Sequence, residues 1–192
     1  MYVRDAKNRD EPWLLDRIEA MGLDSEAFRS RDYVIAVDED SNTRVGFGRL
    51  RIHSGDPEVC ELTGIGVDPD WRDQGVGAHV IERLVAEAGD SGFETVYVLT
   101  DQAAYLEQFG FREIEADTLP DPLARRLEYK RGQVSDEVVT LAVAHDDFSM
   151  PTRLREAFKT ATGNERDPEP TAGAEDFGID PDEATYKYDT GR

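Results

Sequence analysis

The chain has 192 residues, of which 39% are hydrophobic, and a formal net charge of −20 with a sequence pI near 4.4. This size and composition predict one domain with a substantial core. The acidity argues against a nucleic-acid partner, because phosphate binding needs a concentrated positive surface. Many carboxylates with few lysines favour a salt-rich, halophilic cytosol, where screening relieves self-repulsion; an ordinary acidic protein is the alternative.

Potential metal ligands and membrane segments are sparse in the sequence. Cys60 is the only cysteine, which excludes an internal disulfide and a cysteine metal cluster. His53, His79 and His145 show no ligand spacing, so no metal is predicted. The first twelve residues lack the apolar core of a signal peptide, and no apolar run is long enough to span a bilayer. We therefore expect a cytoplasmic protein without a membrane partner.

Strand patterns dominate the first third of the chain. The expected elements are a strand at 2–6, a helix from 11 to 22, an ambiguous second helix at 24–31, and strands at 33–37, 44–53 and 59–67. Gly64 and Gly66 interrupt the last of these strands. Glycines inside a strand indicate a bulge or a close approach to the backbone.

Helices and strands alternate in the middle of the chain. The expected elements are a helix at 74–91, a central strand at 95–100, a short helix at 103–109, a strand at 111–114, a helix at 122–129 and a last strand at 138–143. The resulting order, βααβββαβαβαβ, predicts an α+β or mixed α/β fold rather than a helix bundle.

The composition changes after His145. Residues 151–161 predict one amphipathic helix through Leu154 and Phe158, whereas residues 164–192 are acidic, rich in Pro and Gly, and poorly periodic. This tail is either mobile, or packed over the domain or onto a second subunit. We therefore divide the chain into a domain at 1–145 and an acidic C-terminal extension at 146–192.

The stretch VDPDWRDQGVGAHVIERL, residues 67–84, places an arginine and two glycines between a strand and an amphipathic helix. A helix that begins in this way presents unpaired amides at the positive end of its dipole, an arrangement that binds phosphate. Gly75 and Gly77 keep side chains away from those amides. A purely structural loop is the alternative. The third glycine of a dinucleotide fold and the Gly-Lys-Ser/Thr of a triphosphate loop are both absent.

The run from Val67 to Ala78, with Arg72, Gly75 and Gly77 in the positions R/Q-x-x-G-x-G/A, resembles the acyl-coenzyme A signature of the Gcn5-related N-acetyltransferases, the GNAT family. The element order over residues 2–144 is similar as well, including LEQFGF in the short helix after TVYVLT. The resemblance implies the GNAT acyl-CoA N-acyltransferase fold, a mostly antiparallel sheet of six to seven strands flanked by helices. It also implies acetyl-CoA as co-substrate.

The resemblance assigns roles to individual residues. It implies that the pyrophosphate of coenzyme A lies on the amides between Arg72 and Ala78, and that pantetheine pairs with the backbone at Ile65 and Val67. The acetyl carbonyl would be polarised by a strand amide near Ile65. The cofactor-binding residues expected in this way are Ile65, Val67, Arg72, Gln74, Gly75, Val76, Gly77 and Ala78.

Acetyl transfer to an amine requires a base, because free amines are mostly protonated at neutral pH. Glu61 is the predicted base; a solvated strand carboxylate is the alternative. Many relatives carry a tyrosine that protonates the leaving thiolate, and Leu106 stands in that position here. Tyr105 is one residue away, which is about 100° around a helix, so we predict that it is a packing residue. The thiolate is then expected to leave without a protein acid.

Glu61-Leu62 before the signature, and Leu119-Pro120 after it, resemble the branch with N-acetylglutamate synthases and arsenic-resistance acetyltransferases. This likeness implies an N-acetyltransferase that acts on a small, amino-acid-like amine. Candidates for binding the acceptor's carboxylate are Arg29, Arg31, Arg125 and Arg126; solvated arginines are the alternative. A coenzyme A-binding sensor with weak or no turnover and a protein or peptide N-acetyltransferase stay open, as does a homodimer.

Overall fold

The computed structural model describes residues 1–163 of the chain, with seven strands and five α-helices. The strands are β1 (Tyr2–Asp5), β2 (Tyr33–Val37), β3 (Arg44–His53), β4 (Val59–Val67), β5 (Thr95–Thr100), β6 (Arg112–Glu113) and β7 (Val139–Ala144). The helices are α1 (Glu11–Ala20), α2 (Val76–Asp90), α3 (Ala103–Glu107), α4 (Asp121–Gln133) and α5 (Thr152–Lys159).

All seven strands form one sheet in the order β1-β2-β3-β4-β5-β7-β6. Every pair is antiparallel except β4 and β5, which run parallel. The predicted mixed fold with a mostly antiparallel sheet is therefore confirmed. The parallel pair requires a crossover connection, and the signature loop with α2 supplies it.

Helices cover both faces of the sheet, and alternate strand residues point to opposite layers. On one face α2 packs on Val34 and Ala36, in the cluster that also includes Leu84. On the other face Leu14 of α1 packs with Tyr33 and its neighbours, while a separate cluster joins α4 to β4 and β5. A fully buried leucine such as Leu14 contributes about 2–3 kcal/mol. The sheet is therefore the middle of three layers.

A bulge interrupts the pairing of β3 with β4. Phe47 pairs with Gly66, but Arg49 pairs with Thr63, so β4 carries one extra residue between these pairs. Gly64 lies at the bulge with φ 59°, a left-handed conformation that favours glycine. A bulge was one prediction from the glycine pair, and it is confirmed. The close approach occurs at Gly66, where an added Cβ would lie 2.6 Å from the Phe47 ring and 2.7 Å from Met21 Sδ.

Strands β4 and β5 pair over a short distance. Their register contains two pairs, Cys60 with Val96 and Glu61 with Tyr97. Beyond these pairs, residues of both strands line a cavity of about 380 Å³, which shows that the strands separate. We call this space the wedge cavity.

The segment between α1 and β2 differs from its predicted structure. The second helix expected at 24–31 is wrong, and a single 3-10 turn at Ser30–Asp32 is present instead. Asp24 accepts a bond from the Glu26 amide at 2.8 Å, and Ala27 has φ 50°, which a helix does not allow. The carbonyls of Glu26 and Ala27 accept hydrogen bonds from Arg49 at 2.8 Å. Backbone groups that a helix would pair internally are thus bonded to β3.

The C-terminal helix expected at 151–161 is confirmed as α5. Leu154 and Phe158 are buried in the cluster that contains α2, and the Phe148 ring stacks on Phe109 with 5.6 Å between centroids. Residues 146–163 therefore pack on the domain, while the division into 1–145 and 146–192 stays a prediction. The predictions for residues 164–192 lie outside the described part of the chain.

Candidate active site

The loop between β4 and α2 ends in left-handed backbone. Asp73 has φ 60° and Gly75 has φ 77°, and α2 begins directly after Gly75. As the N-cap, Gly75 has no side chain to accept a bond from the first amides of the helix. These amides therefore stay available to a ligand at the positive end of the helix dipole.

A cavity of about 520 Å³ lies over this helix start; we call it the loop cavity. Six of the eight residues expected to bind the cofactor line it: Ile65, Val67, Arg72, Gly75, Val76 and Gly77. Gln74 and Ala78 do not. The Gln74 side chain donates to the Asp70 carbonyl and accepts from the Thr162 amide, and Ala78 is buried in the core.

The loop cavity and the wedge cavity are adjacent, because Ile65 and Tyr105 line both. Together they form a groove that runs from the start of α2 to the point where β4 and β5 separate. The wedge end is mainly apolar, with Leu62, Val98 and Leu99 among its lining residues. The groove therefore joins an anion-binding end to an apolar end.

Tyr105 and Leu106, on α3, differ in their surroundings. Leu106 is buried in the core cluster and lines the wedge cavity. Tyr105 packs edge-on against Phe109 at 5.4 Å between ring centroids, and its hydroxyl lies 3.7 Å from where a Cβ on Gly77 would be. Burial raises the pKa of Tyr105 above 10. The hydroxyl thus lies near the helix start, and Tyr105 lines both cavities, so its packing role stays a prediction.

Glu61 lies at the last parallel pair before the strands separate, and it is fully buried. His53 Nε2 lies 2.7 Å from its Oε2, Arg126 Nε donates to the same oxygen at 3.3 Å, and Lys130 Nζ lies 3.4 Å from Oε1. Burial alone would raise the pKa of Glu61, but the His53 hydrogen bond and the charges of Lys130 and Arg126 lower it to about 2. Glu61 is therefore ionised and surrounded by basic groups.

Arg126 pairs with three acidic side chains around the site. It forms ion pairs with Asp24, with Glu26 at 3.1 Å and with Glu61, and its side chain is 4% exposed. Among the predicted carboxylate-binding arginines, it lies at the site but its charge is already compensated. Arg29 and Arg125 line separate surface cavities, on either side of His53.

Sequence reasoning missed Lys130. Its ammonium lines the wedge cavity, donates to the Leu99 carbonyl at 3.0 Å and lies beside Glu61. Burial lowers the pKa of Lys130 below 10.5, although the charge of Glu61 opposes the shift. Among the described residues that line this cavity, Lys130 is the one cation. The signal in the sequence that could have identified it is that the chain has only four lysines, of which Lys130 is one.

Within residues 1–163, no group of three or more His, Cys, Asp or Glu side chains is placed to hold a metal ion. None of the helices in the same range is long and apolar enough to cross a membrane.

Comparison with known families decides the identity of this fold. The model of the acetyltransferase (GNAT) family matches residues 2–111, more than half of the chain. The chain belongs to the acetyltransferase (GNAT) family. The matched part runs from β1 past α3 and includes most of the residues that line the two cavities, whereas Lys130 at the wedge cavity and Arg153 at the loop cavity lie beyond it.

Curated relatives of this GNAT chain are similar over a limited region. The amino-acid acetyltransferase of Edwardsiella ictaluri (strain 93-146) is 31% identical over 72 residues, which is 37% of this chain and 16% of that protein. The amino-acid acetyltransferase of Escherichia coli (strain K12) is 29% identical over 75 residues, 38% of this chain and 17% of that protein. The match thus spans about a sixth of each curated relative's length.

Solved structures share the fold. A Mycobacterium tuberculosis protein, solved in complex with CoA, has a TM-score of 0.62 and 22% identity, and the match covers 75% of this chain and 99% of that one. N-acetylglutamate synthase from Neisseria gonorrhoeae, complexed with coenzyme A and N-acetyl-glutamate, has a TM-score of 0.61 and 18% identity, with coverage of 74% and 34%. At these identities the likeness establishes a common GNAT fold.

Proposed function

We propose that the protein is an acetyl-CoA-dependent N-acetyltransferase whose acceptor is a small, amino-acid-like amine. The observation that supports this most is the pair of adjacent cavities, one at the start of α2 and one at the wedge between β4 and β5, which share Ile65 and Tyr105 in their linings. The anion-binding end suits a phosphorylated cofactor, and the apolar end suits an extended arm. Family membership supports the reaction class, and the amino-acid acetyltransferases among the relatives support the acceptor class.

The residues of the loop cavity fit coenzyme A. The first amides of α2 are uncapped, Arg72 lies beside them, and an added Cβ at Gly77 would face the groove between Val67 and Tyr105. These amides would hold the pyrophosphate, with the backbone of Ile65 and Val67 along the arm. Acetyl-CoA, when bound, supplies the acetyl group as a thioester. The described residues Gln74 and Ala78 contribute through the backbone alone in this arrangement.

Glu61 has been assigned as the base, and that role stays a proposal. Two observations weigh against direct proton abstraction: the carboxylate has no exposed surface, and its pKa is about 2. A base of such low pKa takes up protons poorly at neutral pH. The geometry supports a positioning role, in which Glu61 fixes Lys130 at the wedge cavity. The amine would then attack as the neutral fraction already present in solution, and its proton would pass through solvent to the departing thiolate.

Lys130 is proposed to bind the carboxylate of the acceptor. Like Arg126, it is paired with Glu61, but unlike Arg126 it lines the wedge cavity, where it is the one cation among the described lining residues. A carboxylate placed there would form a charge-assisted hydrogen bond with the ammonium. The acceptor amine would then lie near the end of the cofactor arm. The lone buried Cys60 supports a cytoplasmic location, which stays a proposal together with the homodimer.

The test follows thiol release from acetyl-CoA in molar KCl with free amino acids, their carboxamides and basic peptides as acceptors. We expect turnover with a free amino acid and a much higher KM for its carboxamide. Lys130→Met should raise the KM for the amino acid by about tenfold or more, because a buried charge-assisted bond is lost. Lys159→Met, at an exposed lysine of α5, is the matched control. Equal turnover of acid and amide would contradict the acceptor class.

A coenzyme A sensor is the second candidate, and Leu106 favours it. This apolar residue stands where many relatives carry a tyrosine acid, and the neighbouring Tyr105, which lines the same cavity, is predicted to be a packing residue. Tight coenzyme A binding without turnover on any acceptor class would support the sensor. Turnover with peptides but not with amino acids would instead support a peptide acetyltransferase.

A further inference from the structure

Helix α5 forms an outer wall of the loop cavity, although it follows the last strand of the sheet. The ring of Phe158 stacks on His79 of α2 with 3.8 Å between centroids. The Leu154 carbonyl lies so close to Gly75 that a Cβ there would collide with it. Thr162, beyond the helix, donates its amide to Gln74 Oε1 at 2.9 Å. The helix is therefore fixed against the signature loop at three points.

Arg153, in the first turn of α5, lines the loop cavity beside Leu154. Its neighbour Leu154 is buried, which fixes the backbone from which the guanidinium projects. The guanidinium donates to Gln108 Oε1, and Gln108 in turn donates to the Tyr105 carbonyl at 2.6 Å. Arg153 is therefore oriented by Gln108, the residue directly after α3, rather than free in solvent.

The charges of the loop cavity differ from those of the chain as a whole. The chain carries a net charge of −20, yet the described residues that line this cavity include two arginines, Arg72 and Arg153, and one acid, Asp73. Arg72 uses its Nε to bond the Val67 carbonyl at 3.2 Å. Guanidinium groups bind phosphate oxygens through paired, charge-assisted hydrogen bonds. As the second arginine of this cavity, Arg153 thus offsets the negative charge of Asp73 and of the acidic chain around the site.

We propose that Arg153 binds the pyrophosphate of coenzyme A, so that the segment after β7 completes the cofactor site. The inference rests on the proposed function, and it goes beyond it, because the amides of the signature loop do not require α5. The pyrophosphate is the assigned partner since Arg153 faces the same cavity as Gly75 and Gly77. Dephospho-coenzyme A keeps the pyrophosphate but lacks the 3′-phosphate, so a comparison of the two ligands separates these two phosphate groups.

Arg155 offers a matched control two residues along the same helix. It is exposed and pairs with Glu82 of α2 at 2.6 Å, and it is not among the residues lining the loop cavity. Arg153→Ala and Arg155→Ala remove the same charge from the same exposed helix. A difference in their effects on cofactor binding therefore reports position rather than net charge.

The experiment measures the affinity of the full chain for coenzyme A and for dephospho-coenzyme A by calorimetry, at low ionic strength and in molar KCl. Arg153→Ala should weaken both ligands by roughly tenfold at low ionic strength and by about two- to threefold in molar KCl, because salt screens an exposed charge. Arg155→Ala should leave both affinities within about twofold of the parent. Arg153→Lys should restore part of the loss. Urea unfolding checks that each variant is folded.

Four results would overturn the assignment. Equal losses in Arg153→Ala and Arg155→Ala would mean that net charge alone is responsible. A loss confined to coenzyme A, with dephospho-coenzyme A unaffected, would move Arg153 to the 3′-phosphate. Unchanged affinity in Arg153→Ala, with tight binding by the parent, would remove α5 from the site while leaving the proposed function intact. If the parent binds neither ligand, the proposed function and the role of Arg153 both fail.

Discussion

Replacing Glu61 with glutamine is expected to destabilise the protein more than any change at an exposed carboxylate. The substitution keeps the shape of the side chain but removes the charge that faces His53, Arg126 and Lys130. The pKa of Glu61 falls from 4.5 to about 2 in the folded protein. Each pKa unit corresponds to about 1.4 kcal/mol, so the ionised carboxylate contributes about 3 kcal/mol at pH 7. Breaking buried ion pairs costs a similar amount, about 3–5 kcal/mol.

The sign of the pH dependence follows from the lowered pKa. A carboxylate whose pKa is lower in the folded state stabilises the fold fully above pH 4.5, and the contribution is lost as the pH falls through about 2. The difference between the parent and Glu61→Gln should therefore be about 3 kcal/mol at pH 7 and about 2 kcal/mol near pH 3.5.

Urea unfolding at fixed KCl concentration measures both differences. Glu58→Gln, at an exposed carboxylate just before β4, is the control and should change the unfolding free energy by less than about 0.5 kcal/mol. Equal stabilities of Glu61→Gln and the parent at pH 7 would refute the idea that the carboxylate holds the surrounding cations. A difference that stays constant down to pH 3.5 would refute the lowered pKa.

Three further predictions concern the groove and its wall. Gly75→Ala should lower the unfolding free energy by more than Gly92→Ala. Both glycines have a positive φ, which costs an alanine about 1–2 kcal/mol, but only at Gly75 would a Cβ collide with Leu154. Similar urea midpoints for the two variants would contradict this. Tyr105→Phe should change kcat by less than about twofold in the thiol-release assay, since the hydroxyl lies near Gly77; a large fall in kcat would restore an acid role. Burial lowers the pKa of His79 below 6.5, so an NMR titration should show the ring more than half neutral at pH 6.5, and stability should fall with acid below that pH; a pKa above 6.5 would contradict the burial of its stacked ring.

Local patterns predicted the sheet well, because alternate residues of a strand face different layers. Tyr33, Ile35 and Val37 meet α1, whereas Val34 and Ala36 meet α2, and both sets are apolar. A strand buried on both faces is therefore visible as a short apolar run. The signature loop was equally visible, since Gly75, directly before α2, is required by its positive φ and by its close contact with Leu154.

Long-range charge pairing was not visible. Arg125 and Arg126 are adjacent, and a rotation of about 100° per residue decides which of them is buried against Glu61. Lys130 reaches the wedge cavity because α4 packs on β4 and β5, a contact that no local pattern specifies. The helix predicted at 24–31 was wrong for the same reason: Arg49 of the distant strand β3 donates hydrogen bonds to two backbone carbonyls of that segment.

The position of α5 also has a consequence for synthesis on the ribosome. The start of α2 at Val76 precedes the start of α5 at Thr152 by 76 residues. At about 5–20 residues per second, the signature loop emerges roughly 4–15 s before its outer wall exists. During that interval the surface of α2 that later contacts Leu154 and Phe158 is open to solvent. The nascent chain therefore exposes an apolar surface of α2 until α5 has been synthesised.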